Sequence, residues 1–346
     1  MKKRESNYDL LRIISTFTVV LLHVNAIFIN FDYMYYGYND IIKAIVDLIT
    51  RFAVPCFVMS SGAFLLNNPK NKNFKEFYAK TFYKIGIPFL VALTFLFLYS
   101  LITCILWKGD LLKVVVDLLA GDIYNLWFMY MLVGLYLVTP IIIRLKEAIS
   151  NKAYIITSVV WMFFAIVSQL TTSYRLAYSF GVIFSYLAYF ILGNVIYENC
   201  RKYKNSFLFF LATVLTFAIS FVIRFITGFN DKSCILNPYK VSFMPSIVLV
   251  SVFIFIAFSN IKITVDFKRL PEKTYTMYLY HSFVYNMIFI IMDNLGIPIK
   301  EMLTIPVVTI LTFVISWLVS TIYLKVWQYV EKKFSLKEKW FLKFNR

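Results

Sequence analysis

Among 346 residues there are two histidines, His23 and His281, and both fall in strongly apolar surroundings. Ahead of His23, in NYDLLRIISTFTVVLLHVNAIFIN (residues 7–30), stand Asp9 and Arg12. Ionisable groups inside a membrane helix are costly and as a rule face a bundle interior or a functional site. Arg12 and His23 are eleven residues apart, about 1100° of helical turn, so they share one face. The rise between them is about 16 Å, roughly half the hydrocarbon thickness. A neutral imidazole is suited to take the proton of a hydroxyl, and a guanidinium to hold a phosphate. The stripe therefore reads as a channel or an active site, with His23 as a candidate base and Arg12 as a candidate phosphate binder. Two plainer readings stand beside it: inter-helix hydrogen bonding for the histidines and snorkelling for Arg12. Asp9, one turn earlier, is placed to pair with Arg12. His281, in TYTMYLYHSFVYN, reads as about six residues into its own span, in the opposite half of the membrane from His23. It is the second candidate, as a proton-relay or ligand-orienting group, or else a structural residue.

The segments that position these residues are apolar. Hydrophobic residues make up 60% of the chain and charged ones 15%, and mean hydropathy is +0.73. That composition predicts an all-α polytopic membrane protein, a single domain over residues 1–346. Ten spans are expected, at 10–30, 52–66, 85–106, 126–143, 154–170, 176–197, 207–229, 243–258, 275–292 and 302–324. Residues 41–49 carry apolar positions at helical spacing and predict an amphipathic helix at the outer interface. The MKKRE start resembles a signal peptide, but Asp9 and Arg12 interrupt the apolar run and no cleavage site follows, so the first helix is expected to be retained. The net charge of +17 is no sign of nucleic acid, because it is distributed by side. With the N-terminus in the cytoplasm, 25 of the 35 Lys and Arg residues fall in cytoplasmic loops and tails and seven on the other side. That is the positive-inside pattern, and with ten spans both termini are cytoplasmic. The basic, aromatic tail 325–346 is expected on the anionic inner surface, in contact with membrane lipids. No loop is long enough for a second domain. The four cysteines are scattered, so neither a disulfide framework nor a metal site is expected.

Weaker candidates lie near the outer face. Tyr124, Asn125, Trp127, Phe128 and Tyr130 read as an aromatic belt or as a surface on which a sugar ring stacks. Arg51 and Arg224, near the outer ends of their spans, either snorkel or bind an anionic acceptor such as a lipid diphosphate. Asn194 and Glu198, near the inner end of the sixth span, read instead as inter-helix polar contacts.

The ordered set of segments resembles the acyltransferase-3 family of integral membrane acyltransferases. The Arg12–His23 spacing is preceded by YDLLR and followed by VPCFVMSSGAFLL. NLWFMYMLVGLYLVTPII, SYLAYFILGNVIY and KTYTMYLYHSFVYN continue the likeness along the chain. The resemblance implies transfer of an acyl group, most often acetyl from acetyl-CoA, to a hydroxyl of a cell-surface polysaccharide or its lipid-linked precursor. It places the protein in the bacterial plasma membrane. Carried over by position, His23 is the essential histidine, Arg12 its paired arginine, and Ser61 and Gly62 close the second span. Where the family often has arginines in the next loop, this chain has Lys80 and Lys84, which keep the charge for CoA phosphates but lose the bidentate fork. No permanently bound cofactor is implied; acyl-CoA is a substrate. The rival class is a transporter or flippase for a lipid-linked glycan. The scarcity of carboxylates inside the spans, Asp9 apart, weighs against a proton-coupled carrier.

Overall fold

The computed structural model describes residues 5–31, 38–121, 123–171, 181–200, 205–227, 242–267, 270–297, 301–337 and 340. Among them are thirteen α-helices and no strand: α1 Ser6–Phe31, α2 Tyr38–Thr50, α3 Ala53–Leu65, α4 Phe74–Thr81, α5 Ile87–Leu106, α6 Leu111–Ala120, α7 Trp127–Ala148, α8 Asn151–Thr171, α9 Val182–Asn199, α10 Ser206–Thr227, α11 Pro245–Asn260, α12 Leu270–Asn294 and α13 Glu301–Phe334. A helix lies at each of the ten expected segments. Six stretches among the described residues are long and apolar enough to cross a membrane: Ser6–Ile27, Phe74–Leu106, Trp127–Ala148, Asn151–Ser168, Ser206–Ile223 and Leu303–Phe334. Large apolar side chains stay exposed along α5, α8, α10 and α13, among them Leu98, Ile102, Phe163, Phe164, Val214 and Ile310. An apolar exterior of this kind fits a lipid solvent, in which helices satisfy their backbone polar groups internally.

The long apolar run of α1 is the axis of the bundle, packed against α2, α3, α11, α12 and α13. Its Tyr8 is fully buried, donates its hydroxyl to Ser259 of α11 at 2.9 Å, and meets the rings of Phe64 and Phe255. The most extensive pairing joins α3 and α9, and glycine permits it. A Cβ on Gly62 would lie 1.8 Å from the Phe190 carbonyl oxygen, and one on Gly193 2.2 Å from that of Met59. Small residues let membrane helices approach backbone to backbone, where van der Waals packing replaces the hydrophobic drive.

The α2 helix forms where periodicity places it, but faces inward in an unexpected way. Lys43, Asp47 and Arg51 recur every four residues, and all three are buried, while Ile45 and Ile49 are exposed. Its charged stripe packs inward together with Ala44 and Leu48 while Ile45 and Ile49 look outward, the reverse of a helix floating on the interface. Asn25 of α1 fastens it there, donating to the Lys43 carbonyl at 3.0 Å. At the other end of the molecule α4 runs into α5 through a π-helical turn, Phe82–Gly86. Trp340 stacks on Phe82 with centroids 5.3 Å apart and donates its indole N–H to the Ala79 carbonyl at 3.1 Å. The tail thus folds back onto this turn at Trp340.

Candidate active site

The imidazoles of His23 and His281 meet. Their ring centroids are 5.2 Å apart and tilted by 40°, so they lie at one level rather than in opposite halves of the membrane. The expected depth of His281 is wrong because α12 begins at Leu270, five residues before the apolar run. Pro271 is tolerated in a first helical turn, where its missing N–H costs nothing, and the polar Glu272 and Lys273 continue that turn. Eleven residues of helix then precede His281, a depth of about 16 Å.

His281 is fully buried and its orientation is fixed by two contacts. Its Nδ1 faces the Tyr278 carbonyl at 2.5 Å, and since a carbonyl only accepts, Nδ1 carries the proton and donates. In the neutral ring Nε2 is then the acceptor, and Ser282 Oγ lies 3.3 Å from it. Asn125 braces this group from across the bundle, donating through Nδ2 to Ser282 Oγ at 3.1 Å and to the Tyr285 hydroxyl at 3.0 Å. The Tyr278 hydroxyl donates back to the Asn125 carbonyl at 2.8 Å. Asn125 and its neighbour Tyr124 hold φ of 56° and 54°. Two adjacent non-glycine residues in the left-handed region cost of order 1–3 kcal/mol each and persist only where surrounding contacts over-determine them. Sequence reasoning placed Asn125 in an aromatic belt or sugar-stacking surface; the hint of its role is that asparagine is among the non-glycine residues that tolerate this conformation.

His23 is half-buried although it lies deep in the bundle, so it borders space rather than packed side chain. Arg51, at the turn between α2 and α3, acts on it electrostatically and also on the buried Tyr186 of α9. The Arg51 guanidinium is ion-paired with Asp47, and both are buried. Trp127 packs on Phe128 and Tyr186, and Phe128 meets Tyr278, centroids 4.8 Å apart. An aromatic wall thus links Trp127 to the two histidines.

Arg12 stands over the Phe64 ring, 5.2 Å from its centroid, near the end of α3. Its charge reaches Tyr136 of α7, which hydrogen-bonds Ser61. Asp9 is buried one turn away. Between the Arg12 and His23 levels, three helices that pack together around α3 carry buried polar atoms with no hydrogen-bond partner among the described residues: Ser15 of α1, Ser60 of α3 and Asn194 of α9. A buried polar atom left so in a native fold calls for an unseen partner such as water or ligand. Glu198, by contrast, makes the expected inter-helix contact, with Lys146 of α7 at 2.5 Å. Lys80 is exposed and paired with Glu76, and Lys84 is exposed on the π-helical turn. The next carbonyl on that turn, Ile85, accepts from Tyr275 of α12 at 2.8 Å. The side chain of Arg224 lies outside the described residues.

Residues 5–321 match a family described as an acyltransferase domain. The chain belongs to the acyltransferase-3 family. It is accordingly a multi-pass membrane protein built on a membrane acyltransferase domain. A curated relative from Enterococcus faecalis, named amino-acid racemase, is 26% identical over 92% of this chain. The chain spans 46% of that relative's length, so less than half of the named protein is matched. No solved structure matches.

Proposed function

We propose that this protein transfers an acyl group, acetyl being the expected one, from acyl-CoA to a hydroxyl of a cell-surface polysaccharide or its lipid-linked precursor in the plasma membrane. The observation that carries the reading is the His23–His281 pair at the head of a polar track that begins at Arg12. The donor's phosphates are held at the Arg12 end, with Lys80 and Lys84 adding positive field, and its acyl-bearing arm lies along α1. A pantetheine arm carries two amides, which are natural partners for the otherwise unpartnered Ser15, Ser60 and Asn194. About 16 Å separates Arg12 from His23, a span that an extended arm covers.

The acceptor enters from the opposite end, past Trp127. His23, with free surface, takes the hydroxyl proton as the oxygen attacks the thioester carbonyl. His281 positions that imidazole from the side, its own tautomer fixed by the Tyr278 carbonyl. Collapse expels the CoA thiolate, which recovers the proton from His23. The test pairs purified protein in liposomes with labelled acetyl-CoA and a pool of lipid-linked glycans extracted from bacterial membranes. Label should pass to glycan with wild type and not with His23→Ala. If no label passes while glycan crosses the bilayer in a protein-dependent way, the protein is a flippase and the transfer reading falls.

A further inference from the structure

We propose that Arg51 is a further catalytic residue, whose guanidinium stabilises the oxyanion formed at the thioester carbonyl. This rests on the acyl-transfer reading and names a group that reading leaves out. Three observations carry it. First, the cation is inside: Arg51 is 6% exposed and Asp47 1%. Burying an ion pair costs several kcal/mol per ion before mutual attraction returns part of it. The alternative was available, since the opposite face of α2 already looks outward through Ile45 and Ile49. A helix that turns Lys43, Asp47 and Arg51 inward instead places charge beside the reacting centre. Second, the turn that carries Arg51 leads into α3, which packs on α1, the helix of His23, and the guanidinium's charge acts on that half-buried imidazole, which borders open space. Third, the guanidinium is only partly committed. One terminal nitrogen binds Asp47, while the buried Nε–H has no acceptor among the described residues.

An oxyanion fits this donor better than a permanent anion on the acceptor. The Asp47 carboxylate beside it offsets the Arg51 charge, so the guanidinium is a weaker trap for a phosphate than a lone cation. It nevertheless offers a fixed N–H dipole where charge appears only in the transition state. Interactions made only there raise the rate, and a preorganised donor in a water-poor site is worth most. In the step itself the acceptor oxygen bonds to the thioester carbon as His23 takes its proton. The carbonyl π pair moves onto oxygen, facing Arg51. Reforming the carbonyl then breaks the C–S bond, and the thiolate takes the proton from the imidazolium.

The test is steady-state transfer from labelled acetyl-CoA to the extracted glycan pool. Wild type is compared with Arg51→Lys and with the double variant Arg51→Gln, Asp47→Asn, which removes both members of the ion pair together. Donor affinity is measured with a thioether analogue of acetyl-CoA. The double variant should lose about 10²- to 10³-fold in kcat, the usual cost of one oxyanion donor. Donor affinity, glycan KM and thermal stability should stay at wild-type values, and Arg51→Lys should recover part of the rate. Unchanged kcat overturns the proposal. So does a raised glycan KM with kcat kept, which would make Arg51 an acceptor anchor. A loss of kcat that tracks lost stability and lost donor affinity would make it structural. If wild type itself transfers no label, it is the acyl-transfer reading that fails, and this step with it.

Discussion

Gly62→Ala tests whether the α3–α9 contact sets the geometry of the site. A Cβ there would sit 1.8 Å from the Phe190 carbonyl oxygen, against the 3.0 Å below which real Cβ atoms essentially never come. The helices must part locally by at least the difference, 1.2 Å. The obstacle is backbone, so no side-chain rotation relieves it, and the cost belongs near the top of the roughly 1–3 kcal/mol range for overpacking. Alanine returns about 1 kcal/mol of helix propensity over glycine, leaving a net loss of about 2 kcal/mol. The functional effect is larger. α3 carries the Arg51 turn at one end and Phe64, under Arg12, at the other, so both ends of the track shift together. A displacement of about 1 Å at a reacting centre can cost about 100-fold in rate. Stability is read in detergent by labelling of the buried Cys56 with a thiol-reactive dye during heating, and rate by label transfer. Gly193→Ala, meeting the Met59 carbonyl at 2.2 Å, probes the same seam from the other side. Full stability and full activity in Gly62→Ala would refute the close-contact argument.

Two further outcomes follow from particular contacts. Arg12→Lys keeps the charge but loses the planar fork, so acetyl-CoA affinity measured by calorimetry should fall while thermal stability holds; unchanged affinity removes Arg12 from the donor site. Asn125→Ala deletes the bonds to Ser282 and Tyr285, a loss of about 1–3 kcal/mol if those hydroxyls stay buried. Asn125→Gly loses the same bonds but suits the φ of 56°, so it should be more stable than the alanine variant yet equally slow; a fully active glycine variant would show that the side chain positions nothing.

Much of the framework was legible because long apolar runs have few fates. Each expected segment carries a helix among the described residues, although six stretches rather than ten are long and apolar enough to cross a membrane. Rotation along the continuous α1 sets Arg12 and His23 on one face. What escaped depended on information that hydropathy does not carry. The depth of His281 turned on where α12 starts, and the polar Pro271–Lys273 turn reads as loop until seen as helix. The periodicity of α2 revealed two faces but not which one meets the bundle. Where the exterior is apolar, a charged stripe can turn to the bundle as well as to the interface, at a cost that periodicity does not show, and Asn25 holds α2 with the stripe inward. Gly62 was visible as a motif residue, without the Phe190 carbonyl that explains it. Asn194 was expected to bridge helices and instead leaves both polar atoms without a described partner, a better sign of a substrate track than of a structural bond.

The central claim is that His23 is the base of an acyl transfer. The most direct measurement is single-turnover transfer of label from bound acetyl-CoA to the extracted glycan pool, with wild type and His23→Asn compared at equal donor occupancy. Removing a general base costs about 10²- to 10⁴-fold, so the variant should bind acetyl-CoA as wild type does and transfer its label slower by that factor. Label passing at the wild-type rate in His23→Asn would contradict the account.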